Sequence, residues 1–362
     1  MKQFLRQEMN QKIIASLVAV LFGFIFAFII LSFASLINVK DSSPVQGLIT
    51  IMSGGLTTSG LKGLGTILRY ATPVILTGLS VGFAFQTGLF NIGTPGQFIM
   101  GGFSAAFVSV RWEFIPVEYR WVVAILVAVL VGGLWGMISG VLKATRNVNE
   151  VISSIMLNYI GMYTVSNLVD LIPDKFNPSR TQIPPSRIPT FGLDQIFGQN
   201  TVDFGIIIAI VVVILIWILL SKTTFGYELK ACGFNRSAAR YAGINDSKGI
   251  IASMFIAGAL AGLAGALVYI ASITKVIDQL TVLQKEGFDG ISVALLGLSH
   301  PIGILFSGFF ISMLRNAGLP LSRSGFNEEV VRIMTSTIIY ASAFSLIFRE
   351  KLTRWLTRKD VK

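Results

Sequence analysis

Polar side chains set inside apolar stretches are where this chain could do chemistry, because an ionisable or amide group in such a run is costly unless it has a partner or a use. Glu150 is the only acid between Arg146 and Asp170, and Asn158 follows eight residues later on much the same helix face. A carboxylate there can bind a cation; at a helix start it can instead reach water, stabilise the first turn or pair with Arg146. Gln86, Asn91, Gln97, Asn149 and Asn158 offer the amide donors and acceptors that pass a polar, uncharged solute, or that tie one helix to another. Gly102-Phe103-Ser104-Ala105 has the G-x-S-x pattern of an intramembrane serine nucleophile, which brings a Ser104/His300 dyad into consideration, although no oxyanion site accompanies it. Cys232 and His300 are each the sole residue of their type, so neither a metal cluster nor an internal disulfide is expected.

The elements that must carry these groups follow from composition. Of 362 residues, 53% are hydrophobic and 13% charged, with mean hydropathy +0.73, whereas a soluble domain carries roughly 25% charge. That excludes an ordinary soluble enzyme and makes helices in lipid the units to count. Apolar runs fall at 13–37, 66–85, 98–110, 121–142, 148–172, 204–220, 249–270, 290–298, 301–314 and 330–348. The first is too long for a cleaved signal. With 290–314 bent at His300-Pro301 into two antiparallel pieces, the expectation is an all-α polytopic membrane protein: one transmembrane domain over 1–362, about ten segments, some broken or re-entrant.

Charge gives the direction. Lys2, Arg6, Lys12, Lys143, Arg146, the bases at 222–248 and the tail from Arg349 to Lys362 fall on one side. That side holds +10 of the formal +11, leaving +1 opposite, as expected when basic loops and both termini are cytoplasmic. The basicity therefore records orientation, and nucleic acid is not an expected partner. Outside, the loop at about 173–203 carries five prolines, which favour extended or turn backbone; it reads either as a partner's landing site or as a solvated connector. Gly132, Gly136 and Gly140, and Gly258 and Gly262, are spaced for close helix approach. Thr94-Pro95-Gly96 and Ser299-His300-Pro301 each interrupt an apolar stretch, suggesting a parallel internal repeat with broken helices or, alternatively, two surface turns.

The basic loop at about 221–248 includes Gly233-Phe234-Asn235-Arg236-Ser237-Ala238-Ala239-Arg240-Tyr241-Ala242-Gly243. It predicts a short helix from about Ser237 to Tyr241 with a small Ala-Ala surface flanked by arginines, suited to another protein's groove or to anionic headgroups. This loop resembles the coupling segment of permeases in ATP-binding cassette importers of the branched-chain amino acid/simple sugar family. Gly88-Leu89-Phe90-Asn91-Ile92-Gly93-Thr94-Pro95-Gly96-Gln97 is similar to that family's FNIG-x-x-GQ stretch, with Pro95 where an acid is often found. Asn149 to Tyr159 and Gly287 to Gly297 narrow the resemblance to the nucleoside-importer branch.

The resemblance implies a permease in the bacterial inner membrane that moves nucleosides, or related simple sugars, inward. It would work with a cytoplasmic ATPase, a second related permease and an extracytoplasmic substrate-binding lipoprotein. It implies no catalysis and no cofactor in this chain, with ATP held by the partner; consistently, no G-x-x-x-x-G-K-[ST] phosphate loop occurs. Gly233, Asn235, Arg236, Ala238, Ala239, Arg240 and Gly243 would couple to the ATPase. Candidate path residues, chosen on polarity and position, are Asn91, Gln97, Asn149, Glu150, Asn158 and His300. The rival readings are an ion-coupled secondary transporter, for which Glu150 is the one candidate and lies too near a helix end, and the Ser104/His300 protease.

Overall fold

The computed structural model describes residues 8–37, 43–54, 56–198, 202–278 and 280–343. Lys2, Arg6 and the basic tail from Arg349 to Lys362 lie outside the described residues.

Within the described residues every apolar run becomes helix, and further helices form between the runs. In order these are α1 (Glu8–Ile37), α2 (Pro44–Met52), α3 (Leu56–Gln86), α4 (Thr94–Arg111), α5 (Val117–Arg146), α6 (Glu150–Leu168), α7 (Leu193–Phe197), α8 (Gly205–Lys222), α9 (Thr224–Phe234), α10 (Arg236–Tyr241), α11 (Asp246–Tyr269), α12 (Lys285–Leu296), α13 (Pro301–Asn316), α14 (Gly318–Arg323) and α15 (Glu328–Ala343). Among the described residues no strand forms beyond two isolated bridges, Pro173 to Thr181 and Arg180 to Asp278. Among the described residues five helices are both long and apolar enough to cross a membrane: Gly60–Gln86, α5, α8, α11 and Pro301–Arg323. The chain is an all-α, multi-pass membrane protein.

Contacts divide the chain into two compact units. The larger, Leu68–Gly308, is built around α11, which lies against α4 and α5. The glycine spacing explains how. A Cβ placed on Gly132 would sit 2.6 Å from both the Gly258 carbonyl oxygen and the Gly262 Cα, and one on Gly136 would sit 2.5 Å from the Met254 carbonyl oxygen. Gly101 faces Gly262, and Gly265 faces the Phe98 carbonyl, at similarly short range. Helix backbones therefore touch directly, which gives close van der Waals contact where lipid supplies no hydrophobic drive. Between 290 and 314 the expected hairpin forms. The reversal falls just before His300-Pro301, where Leu298 and Ser299 both take φ of +56°, and the Ser307 hydroxyl donates back to the Val293 carbonyl at 2.8 Å.

The proline-rich segment 173–191 is neither a solvated connector nor a separate domain. Backbone N–H groups of Thr181 and Ile188 donate to the carbonyls of Ile277 and Ile270, both at 2.9 Å, and Ser186 exchanges hydrogen bonds with the Ser109 hydroxyl at 2.7 and 3.1 Å. Asp203 closes this cap, its two oxygens accepting from Gly205 N at 2.9 Å and Ser272 N at 3.0 Å. Burial pushes its carboxyl above the ordinary range, with the two N–H donors opposing. Sequence could not reveal this seam, because its two sides are about ninety residues apart.

The smaller unit, 1–67 with 309–362, has its own core of Ala27, Leu31, Ile51, Leu314, Leu321, Phe326, Met334 and Ile338. Gly23 on α1 meets the Ile338 Cα on α15.

Candidate functional site

Two regions collect the residues that the sequence singled out. The first is the break between α3 and α4, at residues 87–93. Asn91 and Gln97 form a reciprocal amide pair: Asn91 Nδ2 donates to Gln97 Oε1 at 2.8 Å, and Gln97 Nε2 donates to Asn91 Oδ1 at 2.9 Å. Asn91 Nδ2 also reaches the Ser80 hydroxyl at 2.9 Å. Asn158, from α6, spans the same break, accepting from Gly96 N and donating to the Ile92 carbonyl, both at 2.9 Å. All three amides are buried. Asn158 satisfies backbone that the break would otherwise strand away from water, while Asn91 and Gln97 satisfy each other. Gln86 adds a link to the second break, donating to the Ser299 carbonyl at 3.2 Å.

The other path candidates are not gathered here. Asn149 is the exposed N-cap of α6, its oxygen accepting from Val151 N at 2.8 Å. Glu150 starts the same helix and pairs with Lys143 at 3.0 Å, a partner other than Arg146, which was one of the alternatives the sequence offered. Asn147 takes the left-handed conformation at the end of α5; that turn folds α6 back over half-buried Lys143 while Arg146 points out as an exposed residue. His300 is exposed ahead of α13. Ser104 donates to the Gly101 carbonyl one turn back at 2.7 Å, the use a helix makes of any buried serine.

The second region is the basic loop. α10 begins at Arg236, one residue before the expected start, and Asn235 caps it by accepting from Ala238 N at 3.1 Å. Asn245 caps α11 in the same way through Lys248 N at 3.0 Å. Ala239 is buried; Ser237, Ala238 and Gly243 are exposed, and Phe234 and Tyr241, which flank the helix, are 91% and 95% exposed. Arg240 grips Asp246 with both arms, Nε to Oδ1 at 2.9 Å and NH2 to Oδ2 at 2.7 Å. The short helix is thus fastened to the first residue of α11. On its other side, Gly233 lies against Gly88, where a Cβ on Gly233 would stand 2.7 Å from Gly88 N. The loop is in contact with the turn that leads into the amide-braced break.

The short helix is thus exposed, capped by Asn235 and fastened to α11. The model of the family described as "Branched-chain amino acid transport system / permease component" matches residues 63–343. This chain belongs to that family. The match takes in both regions described above, and the chain is a transport permease subunit rather than an enzyme. It is similar to the guanosine transporter permease NupP of Bacillus subtilis, 36% identical over 83% of this chain and 90% of that one. It is also similar to the nucleoside transporter permease NupB of Lactococcus lactis, 31% identical over 86% and 87% of the two chains. The guanosine permease NupQ of Bacillus subtilis matches at 27% identity over 70% of this chain and 80% of its own length. No solved structure matches.

Sequence alone did not pick out Asp246, although an acid six residues after Arg240, just past Gly243, was a readable signal. The Arg240–Asp246 fork gives a clean test of which groups are internal. Arg240→Asp is expected to cut transport-coupled ATP hydrolysis severalfold, and the exchange Arg240→Asp with Asp246→Arg to restore most of it. A failure of the exchanged pair to recover would mean that Arg240 acts on the partner rather than on Asp246.

Proposed function

We propose that this chain is the membrane-spanning permease of an importer for nucleosides, driven by a separate ATPase that docks on α10. The observation that carries the reading is the exposed helix Arg236–Tyr241, capped by Asn235 and fastened through Arg240 to α11. The nucleoside assignment is supported by the names of NupP and NupB. That two distinct guanosine permeases of one organism, NupP and NupQ, both match supports pairing with a second, related permease. An extracytoplasmic binding lipoprotein completes the assembly, landing on the cap formed by 173–191 and 270–278. About ten segments cross the bacterial inner membrane with both termini cytoplasmic, consistent with the +10 on that side.

Within this scheme Asn91, Gln97 and Asn158 brace the helix break beside the path rather than hold the solute. Their donors and acceptors already serve one another and the adjacent backbone. ATPase closure would press on α10, and the Gly233–Gly88 contact and α11 would carry that displacement to the break.

The test is reconstitution of the chain in proteoliposomes with its ATPase, second permease and binding protein. ATP-dependent accumulation of radiolabelled guanosine is expected, with none when the ATPase is omitted. Uptake that persists without ATPase but collapses with the ion gradient would establish the secondary-transporter reading in its place.

A further inference from the structure

Most outward faces of the long helices are what lipid requires. On α5 the exposed positions include Val122, Leu126, Leu130, Leu134 and Ile138, and on α8 Ile207, Val211, Ile214, Leu215 and Ile218. The outward face of α6 differs. Ile152, Met156, Tyr159 and Tyr163 follow one another along it, with the two tyrosines 47% and 59% exposed. Tyr159 lies nine residues into a helix of 19, about 14 Å from its start and close to its middle. Tyrosines facing lipid gather at the two interfaces, where the hydroxyl meets water; at mid-depth a lipid-facing phenol would leave its hydroxyl stranded. Nor is α6 among the five helices apolar enough to cross by themselves. Its opposite face packs inward, with Ser154, Asn158, Gly161, Met162 and Val165 buried.

We propose that this face of α6 lines the solute path and that Tyr159 and Tyr163 stack on the base of a nucleoside as it crosses. The inference rests on the importer reading above and names the residues that meet its solute. Two aromatic rings one helical turn apart present flat π surfaces to a flat heterocycle, a contact that tolerates different bases. Their hydroxyls can exchange hydrogen bonds with the sugar. The face bears no charge between Glu150, which Lys143 neutralises, and Asp170. It therefore suits a neutral nucleoside and offers no cation for the phosphate of a nucleotide.

The experiment uses the complete reconstituted importer with radiolabelled guanosine. Tyr159→Leu and Tyr163→Leu are each expected to lower uptake about tenfold, the scale of losing one base-stacking contact, while Tyr159→Phe and Tyr163→Phe, which keep the ring, should lower it only about threefold, the scale of one lost hydrogen bond. The Leu variants should retain the second permease on co-purification. A Tyr163→Cys chain should react with a water-borne, membrane-impermeant methanethiosulfonate, and guanosine should slow that reaction; native Cys232 is 6% exposed and contributes little background. Unchanged uptake in the Leu variants, or an unreactive Tyr163→Cys, would place the face in lipid and overturn the inference. Loss of the second permease from the Leu variants would also overturn it, making the tyrosines an interface between permeases. If the unaltered complex accumulates no guanosine, the nucleoside reading itself falls and the stacking role with it, an outcome separate from the variant results.

Discussion

Gly132→Val is expected to abolish uptake and to prevent recovery of a folded chain from detergent, whereas Gly249→Ala, on α11, should behave as wild type. Both add carbon to a glycine, so the contrast isolates what the added atoms meet. At Gly132 a Cβ lands 2.6 Å from the Gly258 carbonyl oxygen and from the Gly262 Cα, both main-chain atoms that can move only if whole helices separate. At Gly249 the nearest atoms are the Leu229 Cδ2 at 3.5 Å and the Cys232 Sγ at 3.8 Å, ordinary contact distances. Overfilling a tight core costs about 1–3 kcal/mol when side chains can shift, and more is expected where backbone meets backbone. The measurements are thermal unfolding of the purified chain and size-exclusion recovery. A Gly132→Val protein of normal yield and melting temperature would show that α5 and α11 do not touch in the membrane.

Phe234→Ala with Tyr241→Ala is expected to release the ATPase while leaving the chain folded. Both rings are almost wholly exposed, so neither contributes to the interior, and surface truncations of this kind change stability by about 0.5 kcal/mol or less. At a protein interface, by contrast, large aromatic anchors that become buried are worth about 2 kcal/mol or more each. Together the two losses correspond to at least a hundredfold weaker docking. The check is co-purification of the ATPase and guanosine-stimulated ATP hydrolysis, beside thermal unfolding of the isolated permease. If the double variant keeps its ATPase and full uptake, the rings rest in lipid headgroups and α10 is not the docking element. The Arg240–Asp246 exchange complements this result, since it probes the fastening of α10 to α11 rather than its outward face.

What these experiments address was unevenly legible in the sequence. Each apolar run predicted a helix, and within the described residues each is one, because a long apolar stretch flanked by charge or glycine has few other solutions in lipid. The short helix was readable for a similar reason, as about Ser237 to Tyr241 between Gly233 and Gly243, because glycine acts as a local stop signal on its neighbours in the chain. The glycine spacing announced close approach but not its partners. Gly132 meeting Gly258 and Gly262, rather than lipid, depends on how α5 and α11 are rotated about their axes.

Residue types and spacing therefore determined that this is an all-α membrane protein, and they marked the basic loop and the short helix within it. Only the tertiary structure decided the pairings across the chain. Asn91 pairs with Gln97, and Asn158 spans the helix break through Gly96 and Ile92. Glu150 took Lys143 because a left-handed Asn147 redirected α6, the proline-rich segment became a stitched cap, and the tyrosines of α6 were left facing outward. The physical reason is common to all four. Helix formation is governed by groups within a few residues of each other, whereas the burial and pairing of a polar side chain depend on which faces meet, and these are set by contacts tens to hundreds of residues apart.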